Sequence, residues 1–142
     1  MEVIILTTNE LEHEIKSRIN KIMPELNMSQ IRFCKGNDNS PEGTYIYFQN
    51  GRYHYIFTEK GRIRVHEELS SVSDVLWKVL NIVLDDISID YAMKNREEGK
   101  DFRRPLFKKE IELFSKFGDE FEKRKINEIN EILAENPFYD EQ

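Results

Sequence analysis

Between Thr44 and Leu69 apolar and polar residues alternate with a period of two, and on both sides of that stretch the spacing lengthens to that of a helix. The first helical stretch carries Leu11, Ile15, Ile19 and Ile22 as its apolar stripe. Thr7 and Glu10 have the spacing of a capping box at its start, and Pro24 helps to end it. His13 falls off the stripe and reads as a solvated helix residue without a role. The short apolar run ahead of Thr7, flanked by acids, fits neither a signal peptide nor a membrane span, so a cytoplasmic protein is expected. "KGNDNSPEG", Lys35 to Gly43, is dense in turn-forming residues and reads as a loop.

Three strands are predicted within the alternating stretch. "TYIYFQ" runs through Asn50-Gly51, a strong hairpin signal, into "RYHYIFTE". This turn pairs Phe48 with Tyr53 and Ile46 with Tyr55. The second turn is expected to span three residues, Glu59-Lys60-Gly61, with Gly61 as a left-handed bulge residue, because a two-residue turn would force Lys60 to a positive φ. That register sets Phe57 against Ile63, Tyr55 against Val65 and His54 directly against His66. One face then carries Ile46, Phe48, Tyr53, Tyr55, Phe57, Ile63 and Val65; the other carries Tyr45, Tyr47, His54, Ile56, Thr58, Arg62, Arg64 and His66.

After Ser71 or Ser73, either of which can cap, a long helix is expected from Asp74, with Val75, Leu76, Val79, Leu80, Val83, Leu84 and Ile87 as a wide apolar band and Trp77 packed beside it. It runs to about Arg96 or breaks near Ser88. Gly99 closes it, Asp101 or Phe102 leads into the next helix with Pro105 in its first turn, and Gly118 ends that one. Asp119 can cap a last helix whose inner side includes Phe121, Ile129, Ile132 and Leu133. The resulting expectation is a single α+β domain over residues 1–142: an N-terminal helix, a three-stranded antiparallel meander, then three C-terminal helices packed on the sheet.

Charge narrows the function. A net charge of −6 argues against generic binding to DNA or anionic membrane. The lone Cys34 excludes an internal disulfide and a multi-cysteine zinc site. A cross-strand His54/His66 pair could hold a metal or supply a general base, so a small metal-dependent enzyme is one reading, although no third ligand lies within the strands. Tyr45, Tyr47, Arg62, Arg64 and His66 are residue types that dominate protein–protein contacts. The same aromatics and arginines would suit a nucleic-acid-binding module, which the acidity disfavours. Asp85, Asp86 and Asp90 can gather on the long helix as an acidic surface, and from Glu128 to Gln142 there are five acids and no Lys or Arg. Asp101 beside Arg103 and Arg104 suggests phosphate binding, but basic charge in a first turn opposes the helix dipole, so carboxylate partners elsewhere in the fold, and a structural role for the three residues, are expected instead.

The order of these features resembles the immunity protein 63 family of bacterial polymorphic toxin systems. The resemblance rests on the aromatic hairpin with Glu59-Lys60-Gly61, the apolar helix ending in Asn95-Arg96, Asp101-Phe102-Arg103-Arg104 with Phe107, Glu112-Leu113, and the terminal Pro137-Phe138-Tyr139-Asp140. It spans roughly residue 43 to the end. It implies a non-enzymatic inhibitor, without cofactor, whose partner is the C-terminal domain of a cognate toxin, with neither nucleic acid nor membrane involved. The contact residues expected under that implication are Tyr45, Tyr47, Arg62, Arg64 and His66 on the sheet, and Asp85, Asp86 and Asp90 on the long helix.

Overall fold

The computed structural model describes residues 5–141. The fold is α+β, with an N-terminal helix, a four-stranded mixed sheet and three further helices. Two compact units divide between Val79 and Leu80.

In the first unit, α1 (Thr8–Ile22) begins with the expected capping box: Glu10 N–H donates to Thr7 Oγ1 at 3.3 Å and Thr7 N–H to Glu10 Oε1 at 3.0 Å. Leu11, Ile15 and Ile19 are buried, but Ile22 is 41% exposed and Met23 goes inward instead. Met23 continues the every-fourth series that Leu11, Ile15 and Ile19 establish, whereas Ile22 sits to one side of it. Of the short apolar run ahead of the helix, Val3 and Ile4 lie outside the described residues, and Ile5 is exposed.

The sheet has strand order β1-β2-β3-β4, with β1 (Ile31–Arg32), β2 (Gly43–Gln49), β3 (Arg52–Glu59) and β4 (Arg62–Leu69). β1 is the addition to the expected meander. It pairs parallel to β2, Ile31 with Thr44 and Arg32 with Tyr45, and two residues are too few to show a period. At Asn50 (φ 54°) and Gly51 (φ 76°) both central residues are left-handed, which matches the twist of the flanking strands, and Phe48↔Tyr53, Tyr47↔His54 and Ile46↔Tyr55 pair as predicted.

The second hairpin corrects the expected turn. Lys60 (φ 53°) and Gly61 (φ 75°) form a two-residue loop closed by Glu59↔Arg62 and Thr58↔Ile63. A left-handed lysine costs about 1–2 kcal/mol. Two hydrogen bonds from the preceding loop help to hold it, Asn39 N–H to Gly61 O (2.9 Å) and Ile63 N–H to Asp38 Oδ1 (2.8 Å). The bulge follows the turn, where Arg64 is the extra residue between Thr58↔Ile63 and Phe57↔Val65. Beyond it Ile56 faces His66, Tyr55 faces Glu67 and His54 faces Glu68. The register therefore moves two residues from the expected one. A shift of two preserves which face each of these side chains occupies, so His54 and His66 share a face as diagonal neighbours. Arg62 and Ile63, ahead of the bulge, change face: Arg62, opposite Glu59, leaves the face of Tyr45, Tyr47 and His66 on which it was expected, and Ile63 packs against Tyr45, Tyr47 and Ile56.

Both faces of the central strands are covered. On one, Ile46 and Tyr53 are buried, Tyr53 Oη accepts from Leu6 N–H (2.8 Å), and Lys78 from the start of the next helix reaches Glu67 and lies 5.4 Å above the Tyr55 ring. On the other, the 35–43 loop folds over Tyr45. Pro41 O accepts from Tyr45 Oη (2.7 Å) and from Thr58 Oγ1 (2.9 Å), and Gly36 sits directly against the Tyr45 ring.

α2 (Val72–Lys94) runs unbroken through Ser88. Ser71 caps it, its Oγ accepting from Asp74 N–H at 3.1 Å. Val75, Leu76, Trp77, Val79, Leu80, Val83 and Leu84 are buried. In the second unit α3 (Arg103–Ser115) buries Phe107, Leu113 and Phe114, and α4 (Asp119–Glu135) buries Phe121, Lys125 and Ile129. Gly118 (φ 117°), not Asp119, occupies the N-cap position of α4, and Asp119 is its first helical residue. Ile132, expected inside, is 37% exposed.

Candidate functional site

The sheet residues expected to grip a partner separate into two groups. Tyr45 and Tyr47 are 3% and 5% exposed. They do not form an open surface, because the 35–43 loop and Ile63 cover them. Arg62, Arg64 and His66 are exposed along β4, the last strand of the sheet. Arg64 Nε is bound to Glu59 O at 3.3 Å, which pins that guanidinium near the hairpin.

His54 and His66 meet. His54 Nε2 lies 3.0 Å from Gln49 O, and a carbonyl only accepts, so the proton of the neutral ring sits on Nε2. His54 Nδ1 is then the acceptor of the 2.9 Å bond from His66 Nε2–H. Tyr47 stacks on His54 at 5.0 Å between ring centres, and burial pushes the Tyr47 phenol up. The arrangement occupies the Nδ1 lone pair of His54, the one that a metal or a substrate proton would need on that ring. Among the described residues no three His, Cys, Asp or Glu side chains gather as a metal site.

Asp85, Asp86 and Asp90 are exposed on α2. Asp90 pairs with Lys94 at 2.9 Å. The Asp85 carboxyl is pushed up by partial desolvation and by Asp86, against the pull of Lys125. Lys125 is the ionic residue that sequence reasoning missed. Only 3% exposed on α4, it donates to Asn81 Oδ1 and Glu128 Oε1, each at 2.7 Å, and lies 4.6 Å from the Phe114 ring. Its signal was available in the spacing: Phe121, Lys125 and Ile129 recur every fourth residue, so a lysine occupies a core position. Glu110 of α3 faces the same ammonium, and burial, with added repulsion from Asp85 and Glu128, pushes its carboxyl up.

Asp101, Arg103 and Arg104 join the start of α3 to the C-terminal segment. Asp101 accepts from Arg103 Nη2 (2.8 Å), from Arg103 N–H (2.9 Å) and from Tyr139 N–H (3.0 Å). Arg103 also donates to the carbonyls of Asn136 and Pro137. Arg104 forms a two-pronged pair with Asp140, whose Oδ1 also accepts from Asp101 N–H. The two guanidinium groups lie 5.5 Å and 4.2 Å from the centre of the Phe138 ring. The Arg103 guanidinium holds the Asp101 carboxyl well below the usual carboxylate range, and Arg104 lowers Asp140 in the same way. The Asp-Phe-Arg-Arg and Pro-Phe-Tyr-Asp strings, 33 positions apart in the chain from Arg104 to Pro137, thus build one junction.

The model of a family described as immunity protein 63 matches residues 49–131, more than half of the chain. The chain belongs to the immunity protein 63 family. The matched span starts at the end of β2 and takes in β3, β4, α2, α3 and most of α4. It leaves α1, β1, the 35–43 loop and the Pro137–Asp140 string outside. Membership in the immunity protein 63 family suggests an immunity function rather than an enzymatic one, and implies a protein toxin as partner. No curated protein and no solved structure matches the chain. None of the described helices is long and apolar enough to cross a membrane.

Proposed function

We propose that this protein binds the C-terminal domain of a cognate bacterial toxin and neutralises it by occluding the active site. The observation that carries the reading is membership in the immunity protein 63 family. Inhibition of this kind is stoichiometric and needs an interface of about 1,600 Å², with no chemistry from the inhibitor. The buried Tyr45 and Tyr47 are left out of the grip. Its candidate contacts are Arg62, Arg64 and His66 on β4, and Asp85, Asp86 and Asp90 on α2, all of them exposed. An acidic inhibitor suits a toxin with a basic cleft, because opposite charge speeds encounter and is neutralised on docking.

The test is to express the variable C-terminal domain of a large protein encoded beside this one, alone and together with this chain. Toxicity that co-expression relieves, with the two chains copurifying, supports the proposal. Toxicity that this chain neither relieves nor binds contradicts it. Charge reversal at Arg62 and Arg64, and separately at Asp85 and Asp86, then identifies which surface makes the contact.

A further inference from the structure

The chain has 27 acids against 21 Lys and Arg, yet one concavity of the second unit reverses that balance. A cavity of about 330 Å³ lies where the last turn of α2 meets the first turns of α3, and its lining includes Tyr91, Glu97, Lys100, Arg104 and Lys108. Three of these are cations and one is an acid. The turn that places Lys100 is closed by its own N–H donating to Glu97 O at 3.1 Å. Lys109 stands beside it, its Nζ 4.8 Å from the centre of the Tyr91 ring, but its charge is paired with Glu112 at 3.1 Å.

Arg104 and Lys109 are paired within the chain, with Asp140 and Glu112, but among the described residues the two lysines that line the cavity, Lys100 and Lys108, close no ion pair. Arg104 spends Nε and Nη2 on Asp140, and among the described residues its Nη1 has no hydrogen bond. The main chain at the start of α3 is already taken: Arg103 N–H donates to Asp101 Oδ1, Arg104 N–H to Asp101 O and Leu106 N–H to Phe102 O, and Pro105 has no N–H. Recognition in the cavity therefore falls to side chains rather than to a helix end. Like charges around a concavity repel one another, and a multivalent anion that several of them can reach relieves the repulsion.

We propose that this cavity binds a small phosphorylated ligand, with Lys100, Lys108 and the open edge of Arg104 holding its phosphoryl oxygens. Three converging cations match a phosphoryl group, with its several acceptor oxygens and double charge, better than a single carboxylate. A nucleic-acid strand is the less suitable source of phosphate. The chain is net acidic, and Asp140 and Glu141 flank this end of α3, with Glu141 N–H bound to Gly99 O at 2.7 Å. A polyanion longer than the cavity meets that repulsion, whereas a small ligand does not.

The experiment is a calorimetric titration of pyrophosphate into the purified full chain at low ionic strength, on the parent and on the Lys100→Gln/Lys108→Gln double variant. Both lysines are exposed, so the double variant should keep the parent's urea midpoint. The expected result is saturable binding that weakens at least roughly tenfold in the double variant, weakens with added salt, and is unchanged in Lys123→Gln, an exposed lysine outside the cavity. Titration without saturation, equal affinity in parent and double variant, or tighter binding of a single-stranded oligonucleotide than of pyrophosphate would each overturn the assignment.

Discussion

Replacing Gly36 with alanine probes the cover that removes Tyr45 and Tyr47 from the protein's surface. A Cβ at Gly36 would stand 2.6 Å from Tyr45 Cγ, 2.8 Å from Cδ2 and 3.0 Å from Cβ. Carbon atoms pack at about 3.5–4.0 Å, so ring and loop must part by roughly 1 Å. The ring has little room to retreat. It is 3% exposed, packed with Tyr47, Ile56 and Ile63, and its hydroxyl both donates to Pro41 O and accepts from Arg32 Nη1, each at 2.7 Å. Retreat of the loop instead strains the same Pro41 contact and the Asp38 and Asn39 bonds that secure the second hairpin. Overpacking of this size costs about 1–3 kcal/mol, and a weakened hydrogen bond adds about 1. The loss of unfolded-state freedom on replacing glycine offsets about 0.4–1 kcal/mol. The net expectation is a destabilisation of about 2 kcal/mol. With a urea slope of about 2 kcal/mol/M, the midpoint falls by roughly 1 M at unchanged slope. Equilibrium urea unfolding followed by tyrosine fluorescence and circular dichroism measures it. Gly36 has no left-handed φ, so its penalty is steric alone. A midpoint equal to or above the parent's would show that the loop does not press on Tyr45, and would return both tyrosines to the list of contact residues.

Three further outcomes follow from the second unit. Ser88 Oγ is buried without a hydrogen-bond partner among the described residues, so Ser88→Ala should leave stability unchanged or raise it by up to about 1 kcal/mol, whereas a clear loss in the urea midpoint would reveal an unrecognised partner. Asp101 and Asp140 have carboxyls depressed in the folded state; their stabilisation is complete above the unfolded carboxylate range near pH 4 and is lost as pH falls through the folded values. Asp101→Asn should therefore destabilise at pH 7 and flatten the acid limb of the stability profile below about pH 4, and an acid limb as steep as the parent's would contradict the junction. Glu110 has the opposite sign: its raised folded value makes the ionised form a liability at neutral pH, so Glu110→Gln should raise the thermal midpoint at pH 7 and lose that advantage below about pH 4. A gain that persists in acid would assign the effect to packing rather than charge.

Local chemistry was legible wherever one residue type fixes one geometry. Asn50-Gly51 specified its hairpin and register, and Thr7 with Glu10 specified the start of α1. Ser71 as a cap and the apolar band of α2 were equally readable, since both are patterns of a single element. What failed depended on contacts between distant segments. The left-handed Lys60 looks costly in isolation and is held in part by Asp38 and Asn39, more than 20 residues earlier. β1 exists as a strand because Thr44 and Tyr45 lie beside it, not because two residues carry a pattern. Whether the tyrosine face is open or covered was not legible, because nothing in Lys35–Gly43 announces that this loop folds back over it, even though the glycine that permits the close approach is visible in the sequence. Lys125 was overlooked because a lysine is normally placed in solvent, and here Asn81, Glu128 and the Phe114 ring supply the surroundings that let it enter the core. The opposition of Arg103 and Arg104 to the helix dipole implied carboxylate partners, and Asp101 and Asp140 supply them, the first only two residues before Arg103 and the second at the far end of the chain.

The most direct test of a non-enzymatic, occluding inhibitor is a titration of the toxin domain's activity with this protein, both purified, with complex mass measured in parallel. Activity that falls linearly to zero at one equivalent, with a one-to-one complex of matching mass, is the predicted result. Activity abolished by a small fraction of an equivalent, or undiminished at several equivalents with no complex formed, would contradict it.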